Sequence, residues 1–347
     1  MLPDRDVLLL RQSQHLLLTE EREPTMAKHR IDRRTLLRGL AGSTVAVSAA
    51  SLTGVAPACA SDGESNGHLI PRGQMGIQLY SVRDKIAQVG FAPVFEELSR
   101  IGYREVEFAG YTQGAAGPIT PTQIRQLLDD NGLKAAGSHR GLADFRTNLE
   151  LELDVAETLG MPAIGTAQAP TGNRTIAGYQ AAAAEFNAWG AAAAARGIKL
   201  YQHNHTIEFS FAVDRPDVRL YDLFLELTDP RYVYLEMDIL WAYGGARKYP
   251  GFRPVDYVNA QPHRYPMFHV KDGVPLPDPQ QGNSYLDVEF GAGVIPFAEF
   301  FDELKGRGRF EFLWEQDTAP NAQPNPPGSL GAAERSYQRM VELRGAR

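Results

Sequence analysis

The sequence predicts a single (β/α)8 barrel, and three observations carry that prediction. From Met75 onward, strand-like and helix-like segments alternate through eight units without a break. Such a run implies a parallel sheet, and eight units closing on themselves form a barrel. Ionisable residues fall at almost every strand end, where a barrel of this kind builds its site. The 347 residues, 43% hydrophobic and 22% charged, are enough for one large domain with a sizeable core. An open doubly wound sheet would need a Gly-rich phosphate turn after the first strand, and Ser81-Val82-Arg83-Asp84 does not supply one.

The elements follow in order. Met75–Tyr80 reads as the first strand, and Phe91–Ile101 as a helix with apolar residues at helical spacing. Glu105–Phe108 is the second strand. Thr120-Pro121 opens the next helix, with Thr as N-cap and Pro in the first turn, and Asn131-Gly132 stops it. Leu133–Ser138 and Pro162–Thr166 are strands three and four, with a helix over Thr147–Leu159 between them. The Ala-rich segment Thr175–Arg196 is the strongest helix in the chain. Strand five begins in Gly197–Leu200 and runs into Tyr201-Gln202-His203-Asn204-His205-Thr206-Ile207-Glu208-Phe209. After a helix over Val218–Leu227 come strand six (Arg231–Asp238), a short helix over Pro254–Ala260 and strand seven (Tyr265–Val270). A Pro/Gly-rich loop, 273–293, leads to a helix over Phe297–Lys305, strand eight (Phe310–Glu315) and a closing helix over Ala332–Leu343.

The first sixty residues read as an address rather than as fold. Arg33-Arg34-Thr35-Leu36-Leu37-Arg38 precedes an apolar run from Gly39 to Ala56, then Ala58-Cys59-Ala60 before Ser61. That is a twin-arginine n-region, an h-region and a small-residue cleavage site. It predicts handling by the twin-arginine export machinery and a periplasmic or extracellular location, with Met26 as an alternative start. The run is short for a membrane span of about 20 residues, and Ala56-Pro57-Ala58 is a poor context for a lipid anchor at Cys59. Residues 1–60 are thus extension and signal, 61–74 a linker, and 75–347 the barrel.

Cleavage removes eight of the 35 basic residues and six of the 42 acidic ones, leaving 27 against 36, or −9. An acidic chain does not suit a nucleic-acid backbone or an anionic membrane as partner. Cys59 is the sole cysteine, so the mature barrel has no disulfide and no thiolate chemistry. Self-association of the barrel stays open.

The strand ends read Tyr80, Glu107, His139, Thr166, His203/His205/Glu208, Asp238, His269/Lys271 and Glu315/Asp317. Glu208, Asp238, His269 and Glu315 form the strongest subset. Three carboxylates and one imidazole suit an oxygen-preferring divalent ion, Mn2+ or Mg2+, with Zn2+, Co2+ and Fe2+ as alternatives. Such an ion polarises a sugar carbonyl, and a carboxylate beside it removes the neighbouring proton.

Five motifs together resemble the xylose-isomerase-like TIM-barrel family, also called sugar phosphate isomerase/epimerase. They are Gln78-Leu79-Tyr80-Ser81-Val82-Arg83-Asp84, His203-Asn204-His205-x-x-Glu208-Phe209, Glu236-Met237-Asp238-x-x-Trp241, His269-Val270-Lys271-Asp272 and Glu315-Gln316-Asp317. The resemblance spans Met75 to Leu343. It implies a metal held by Glu, Asp, His and Glu from strands five to eight, with the two Glu exchanging the substrate proton. Asp238, His269 and Glu315 match directly. Many relatives carry Glu where this chain has His203, so Glu208 is the favoured first ligand and His203 the alternative. Relatives include keto-sugar epimerases, inosose dehydratases and enzymes that eliminate across a 3-keto-glycoside.

The expected activity is therefore epimerisation or isomerisation of a sugar or keto-sugar through an enediolate, with dehydratase or lyase chemistry as runner-up. Glu208, Glu315, His203 and Lys271 are the catalytic candidates. Tyr80, Glu107, His139, His205 and Trp241 are candidate substrate contacts, the aromatics as pocket walls. Each has a blander reading: His203 and His205 as core histidines, Lys271 as a partner of Asp238 or Asp272, Glu107 and Asp317 as rim ion-pair members. Glu236, deeper than Asp238 on the same face, needs a buried partner. A non-catalytic carbohydrate-binding barrel is a different class of answer. An apurinic endonuclease, which the resemblance also covers, would need more histidines and a basic face.

Overall fold

The computed structural model describes residues 69–305, 310–321 and 328–345. The signal segment, Cys59 and most of the linker expected above lie outside these residues. Among the described residues no helix is long and apolar enough to cross a membrane.

The barrel strands are β1 (Met75–Gln78), β2 (Glu105–Phe108), β3 (Lys134–Ser138), β4 (Ala163–Thr166), β5 (Lys199–His203), β6 (Val233–Asp238) and β7 (Met267–Val270). A hairpin of β8 (Asp272–Pro275) and β9 (Tyr285–Val288) follows, and β10 (Glu311–Trp314) completes the barrel. The eight barrel strands lie in the order β3-β2-β1-β10-β7-β6-β5-β4, all parallel. The two ends meet where His139 bridges Gly165 and the Arg140 N–H donates to the Gly165 carbonyl at 2.7 Å. The predicted barrel is therefore the observed one.

The helices are α1 (Arg83–Val89), α2 (Phe91–Ile101), α3 (Pro121–Asp130), α4 (Leu142–Leu159), α5 (Ile176–Ala195), α6 (Leu220–Leu227), α7 (Ile239–Lys248), α8 (Pro254–Ala260), α9 (Phe297–Asp302) and α10 (Ser329–Glu342). α3 starts as its sequence requires, since Thr120 and Gln123 cap each other reciprocally. Thr175 caps α5 by accepting from the Gly178 N–H. Three differences from expectation have local causes. α4 begins five residues earlier than expected, with the Asp144 carboxylate accepting from the Gly141 N–H at 3.0 Å. α1 and α7 had no counterpart in the sequence reading; α7 springs directly from β6, its N-cap being the strand's last residue, Asp238. The Pro/Gly-rich loop contains the β8–β9 hairpin, held by the buried Asp272 carboxylate, which accepts from the N–H groups of Gly273, Gly291, Gly293 and Ile295.

Two apolar layers result. The large core lies between strands and helices, and a small cluster of Ala136, Ala163, Tyr201, Met267 and Leu313, with Tyr234 against it, fills the barrel interior. This inner cluster is the floor of the site. Side chains alternate along a strand, so the residues two positions further on face the same interior. They are Gly165, His203, His269, Glu315 and Glu236, with Asp238 another two beyond, whereas on β3 the extra residue Ala136 turns Gly137 and His139 inward instead of Ser138. The floor needs Gly165: a Cβ there would lie 2.3 Å from the Tyr201 ring.

Candidate functional site

Above the apolar floor sits a buried layer of carboxylates and imidazoles. In the β2–β3 pairing Val106 stands opposite Ala135 and Glu107 opposite Gly137, so β3 carries an extra residue, Ala136, of the kind that re-aims the side chains after it. Glu107 is fully buried. Its Oε1 accepts from the Tyr201 hydroxyl and lies 3.1 Å from His139 Nε2. Its Oε2 accepts from Gln78 Nε2 at 2.7 Å and lies 2.7 Å from His269 Nε2. Glu236 has its Oε2 2.8 Å from His139 Nε2 and 3.2 Å from His203 Nδ1, and its Oε1 3.2 Å from His269 Nε2. These three imidazoles are the buried partners that Glu236 requires.

One step nearer the strand ends lies a second layer. His269 Nδ1 is 2.9 Å from Glu315 Oε2 and 4.0 Å from Asp238 Oδ2, and His203 Nε2 is 3.8 Å from the same Asp238 oxygen. Lys271 Nζ stands 2.6 Å from Glu315, 3.3 Å from Asp238 and 3.2 Å from Asp317. Ligand-type atoms of His203, Asp238, His269 and Glu315 all lie within 4.8 Å of one another, and so do those of His139, His203, Glu236 and His269.

Burial alone would push the Glu107 carboxyl up, but the charges of His139 and His269 hold it well below its usual range. Burial likewise opposes the charge on Lys271, yet Glu315, then Asp238 and Asp317, hold its ammonium well above the usual lysine value. Glu315 stays well below the carboxylate range because Lys271 and His269 outweigh its burial. His205 is driven down to about 4 by burial and by the Lys271 charge, so its ring is neutral at pH 7. His139 is held up at about 10, since Glu107 and Glu236 overcome its burial.

The site opens into a cavity of about 380 Å3 walled by Tyr80, His139, His203, His205, Glu315 and Asp317, with Ala109 and Ala167. Its size is within the range of small-molecule sites. A larger cavity, about 610 Å3, lies at the opposite ends of the strands, beside Glu105, Lys134, Pro162 and Glu311, and holds none of the strand-end residues.

The structure thus brings Tyr80, His139, His203, His205, Asp238, His269, Lys271 and Glu315 into one region. Three expectations need correction. Glu208, favoured as first ligand, lies outside both ligand groups. β5 ends at His203, the chain then turns through Ile207–Phe209, and Glu208 Oε2 accepts from the His205 N–H at 2.8 Å. His203, the alternative, is the residue grouped with Asp238, His269 and Glu315. Glu107, expected to touch substrate, is instead buried beneath the imidazoles with protein groups at both oxygens. Trp241 is 3% exposed and backs the site from behind, with Lys271 Nζ 4.9 Å from its ring centre and His205 stacked at 6.5 Å. Lys271 pairs with Asp238 and not with Asp272, whose carboxylate is taken by the hairpin. Gln78 and Tyr201 were not singled out by sequence as site residues. Tyr201 was detectable, because it shares a strand face with His203.

A family model described as xylose isomerase-like TIM barrel matches residues 95–334. No curated protein matches the chain. Among solved structures, a sugar phosphate isomerase/epimerase from Parabacteroides distasonis has a TM-score of 0.62 at 22% identity, covering 81% of this chain and 99% of that one. The IolI protein with a bound zinc atom gives 0.60 at 11%, covering 79% and 100%. The probable 3-DHS dehydratase AsbF from Bacillus anthracis gives 0.54 at 15%, covering 76% and 97%. At these identities the structural likenesses bear on fold alone, whereas the family match extends over most of the chain. The chain belongs to the xylose isomerase-like TIM barrel family.

Proposed function

We propose that this protein is a metal-dependent enzyme that moves a proton next to the carbonyl of a sugar or keto-sugar, with epimerisation or isomerisation as the outcome. The observation that carries this reading is the convergence of His203, Asp238, His269 and Glu315 below a cavity of sugar size. The residues suit a divalent ion. Asp238 Oδ2 is buried and accepts no hydrogen bond among the described residues. Five carboxylates (Glu107, Glu236, Asp238, Glu315, Asp317) crowd around the Lys271 ammonium and three imidazoles, an arrangement that a dication would relieve. Two nitrogens and two oxygens accommodate Mn2+, and weigh more toward Zn2+, Fe2+ or Co2+ than a three-carboxylate set would. When bound, such an ion supplies Lewis acidity that makes a carbon acid next to a carbonyl easier to deprotonate.

The chain's own groups provide the proton traffic. Glu315, kept ionised by Lys271, accepts the proton from the substrate carbon. His205, neutral and on the same cavity wall, exchanges a proton with a substrate oxygen or with the carbon from another side. His139, cationic at the cavity edge with its Nε2 taken by Glu107 and Glu236, sets a positive charge beside the sugar oxygens, and the partly exposed Tyr80 ring walls the pocket. Lys271 acts through Glu315 and Asp238, because it is 1% exposed. Elimination is the second reading, since it shares the first proton abstraction and differs only in the fate of the leaving group. We read the Arg33-Arg34 segment as an export signal; the N-terminal sequence of the secreted mature protein tests it.

The decisive experiment measures metal content, then incubates the protein with a panel of ketoses and 3-keto-glycosides in D2O. Deuterium in recovered sugar is the expected result, and an enone would favour elimination. Metal-free protein that binds sugar without exchanging any proton would leave a carbohydrate-binding barrel instead.

A further inference from the structure

The two groups of ligand-type atoms share His203 and His269, and this sharing has a chemical consequence. A neutral imidazole offers one lone-pair nitrogen and one N–H. Two ions held at once would require both rings to surrender their second proton. One group can therefore take an ion while the other serves it.

The distances say which. In the group nearer the cavity, His203 Nε2 and His269 Nδ1 stand 3.8 and 4.0 Å from Asp238 Oδ2, and His269 Nδ1 also lies 2.9 Å from Glu315 Oε2. The Asp238 separations are too long for hydrogen bonds and leave room between the atoms. In the deeper group the same rings present their other nitrogens at hydrogen-bonding length. His269 Nε2 is 2.7 Å from Glu107 Oε2, and His203 Nδ1 is 3.2 Å from Glu236 Oε2. Glu107 and Glu236 are fully buried and stand off the cavity, whereas Glu315 lines it, with His139 and the shared His203. Glu107 is itself held by Gln78 and the Tyr201 hydroxyl. A carboxylate behind a ligating histidine fixes its tautomer, aims its ring and raises its basicity.

We propose that Glu107 and Glu236 are positioning residues that accept from His269 Nε2–H and His203 Nδ1–H, so that His269 Nδ1 and His203 Nε2 face Asp238 and Glu315. The chain then holds one divalent ion, in the group nearer the cavity, and none in the deeper group. The inference rests on the metal-dependent reading above.

Chelator-stripped protein titrated with Co2+ tests it, with absorbance reporting the ligand field and elemental analysis the stoichiometry. Wild type should bind one Co2+ per chain. Glu107→Gln and Glu236→Gln should each weaken binding roughly 10- to 100-fold while keeping the band shape and the 1:1 ratio. Asp238→Asn should change the band itself. If Glu107→Gln does not fold, Tyr201→Phe removes only a donor to Glu107 and should weaken binding several-fold. Two ions per wild-type chain, a band altered by Glu236→Gln as by Asp238→Asn, or unchanged affinity in the folded variants would overturn the proposal alone. A wild type that takes up no Co2+ and contains no other metal would overturn the metal-dependent reading with it.

Discussion

Glu236 and Asp238 lie two residues apart on β6, face the same interior and are both completely buried, yet they end in opposite states. Burial raises both. In Glu236 the nearby Glu107 charge adds to that, but His269, His139 and His203 prevail and hold the carboxyl at about 2. In Asp238 the pull of Lys271 and His269 falls short of the burial penalty, and the carboxyl sits at about 7. The deeper layer is thus a settled set of ion pairs, while the layer nearer the cavity holds a carboxyl that is still easily protonated. Depth does not decide the charge of a buried acid here. The number and distance of its cationic neighbours do.

Three measurements press on that contrast. The largest effect is expected from Asp238→Asn, which removes an acid from the proposed metal site. Metal should no longer co-purify at one per chain, and turnover should fall roughly a thousand-fold. Full activity with retained metal would sink the site. Glu208 extends the comparison to a buried acid without a cationic partner in contact: burial pushes it up to about 7, and only backbone N–H groups pull it back. Its folded value lies above its ordinary 4.5, so the folded state binds the extra proton and stability falls as pH rises between about 4.5 and 7. The whole difference is about 3 kcal/mol. Thermal melts of Glu208→Gln should lose that part of the slope, and an unchanged pH profile would refute it. Smaller still is the pH dependence of metal uptake. Below about 7, Asp238 must release a proton before it can ligate, so apparent affinity should drop about tenfold per pH unit on the acid side. Competition with a colorimetric chelator from pH 5 to 8 would read it.

The barrel was legible because its strands are short apolar runs and several helices carry their own start signals, as Thr120 and Thr175 do. α7 was not, because no polar break separates it from β6; Asp238 ends the strand and caps the helix at once, its Oδ1 accepting from the Trp241 N–H at 2.8 Å. The hairpin was hidden by Pro and Gly, since what orders it is one distant carboxylate, Asp272. In the site, Asp238, His269 and Glu315 could be read from strand ends alone. The choice between His203 and Glu208 could not. Alternation along a strand predicts facing only while the strand lasts, and nothing in Tyr201–Phe209 marks its end at His203. Glu107 was read as a substrate contact because its strand-end position was legible, whereas the Tyr201, His139 and His269 side chains that occupy its oxygens come from elsewhere in the barrel.

The hairpin is fastened most heavily at its base and along its sides. Asp272 gathers the returning chain, Asp287 accepts from the Thr318 N–H at 2.9 Å beside Asp317, and Arg247 of α7 donates to the Leu276 and Ser284 carbonyls. Lys271 and Asp317, at the two ends of this bracing, are thereby kept in register from outside the barrel. Among the described residues, the tip around Pro279 and Gln280 is tied only to the end of α7, through Gln280 Nε2 to the Lys248 carbonyl at 3.2 Å and Lys248 Nζ to the Gly282 carbonyl at 2.8 Å. It is the place to graft a tag, a reporter or a longer recognition loop without moving the residues that face the cavity.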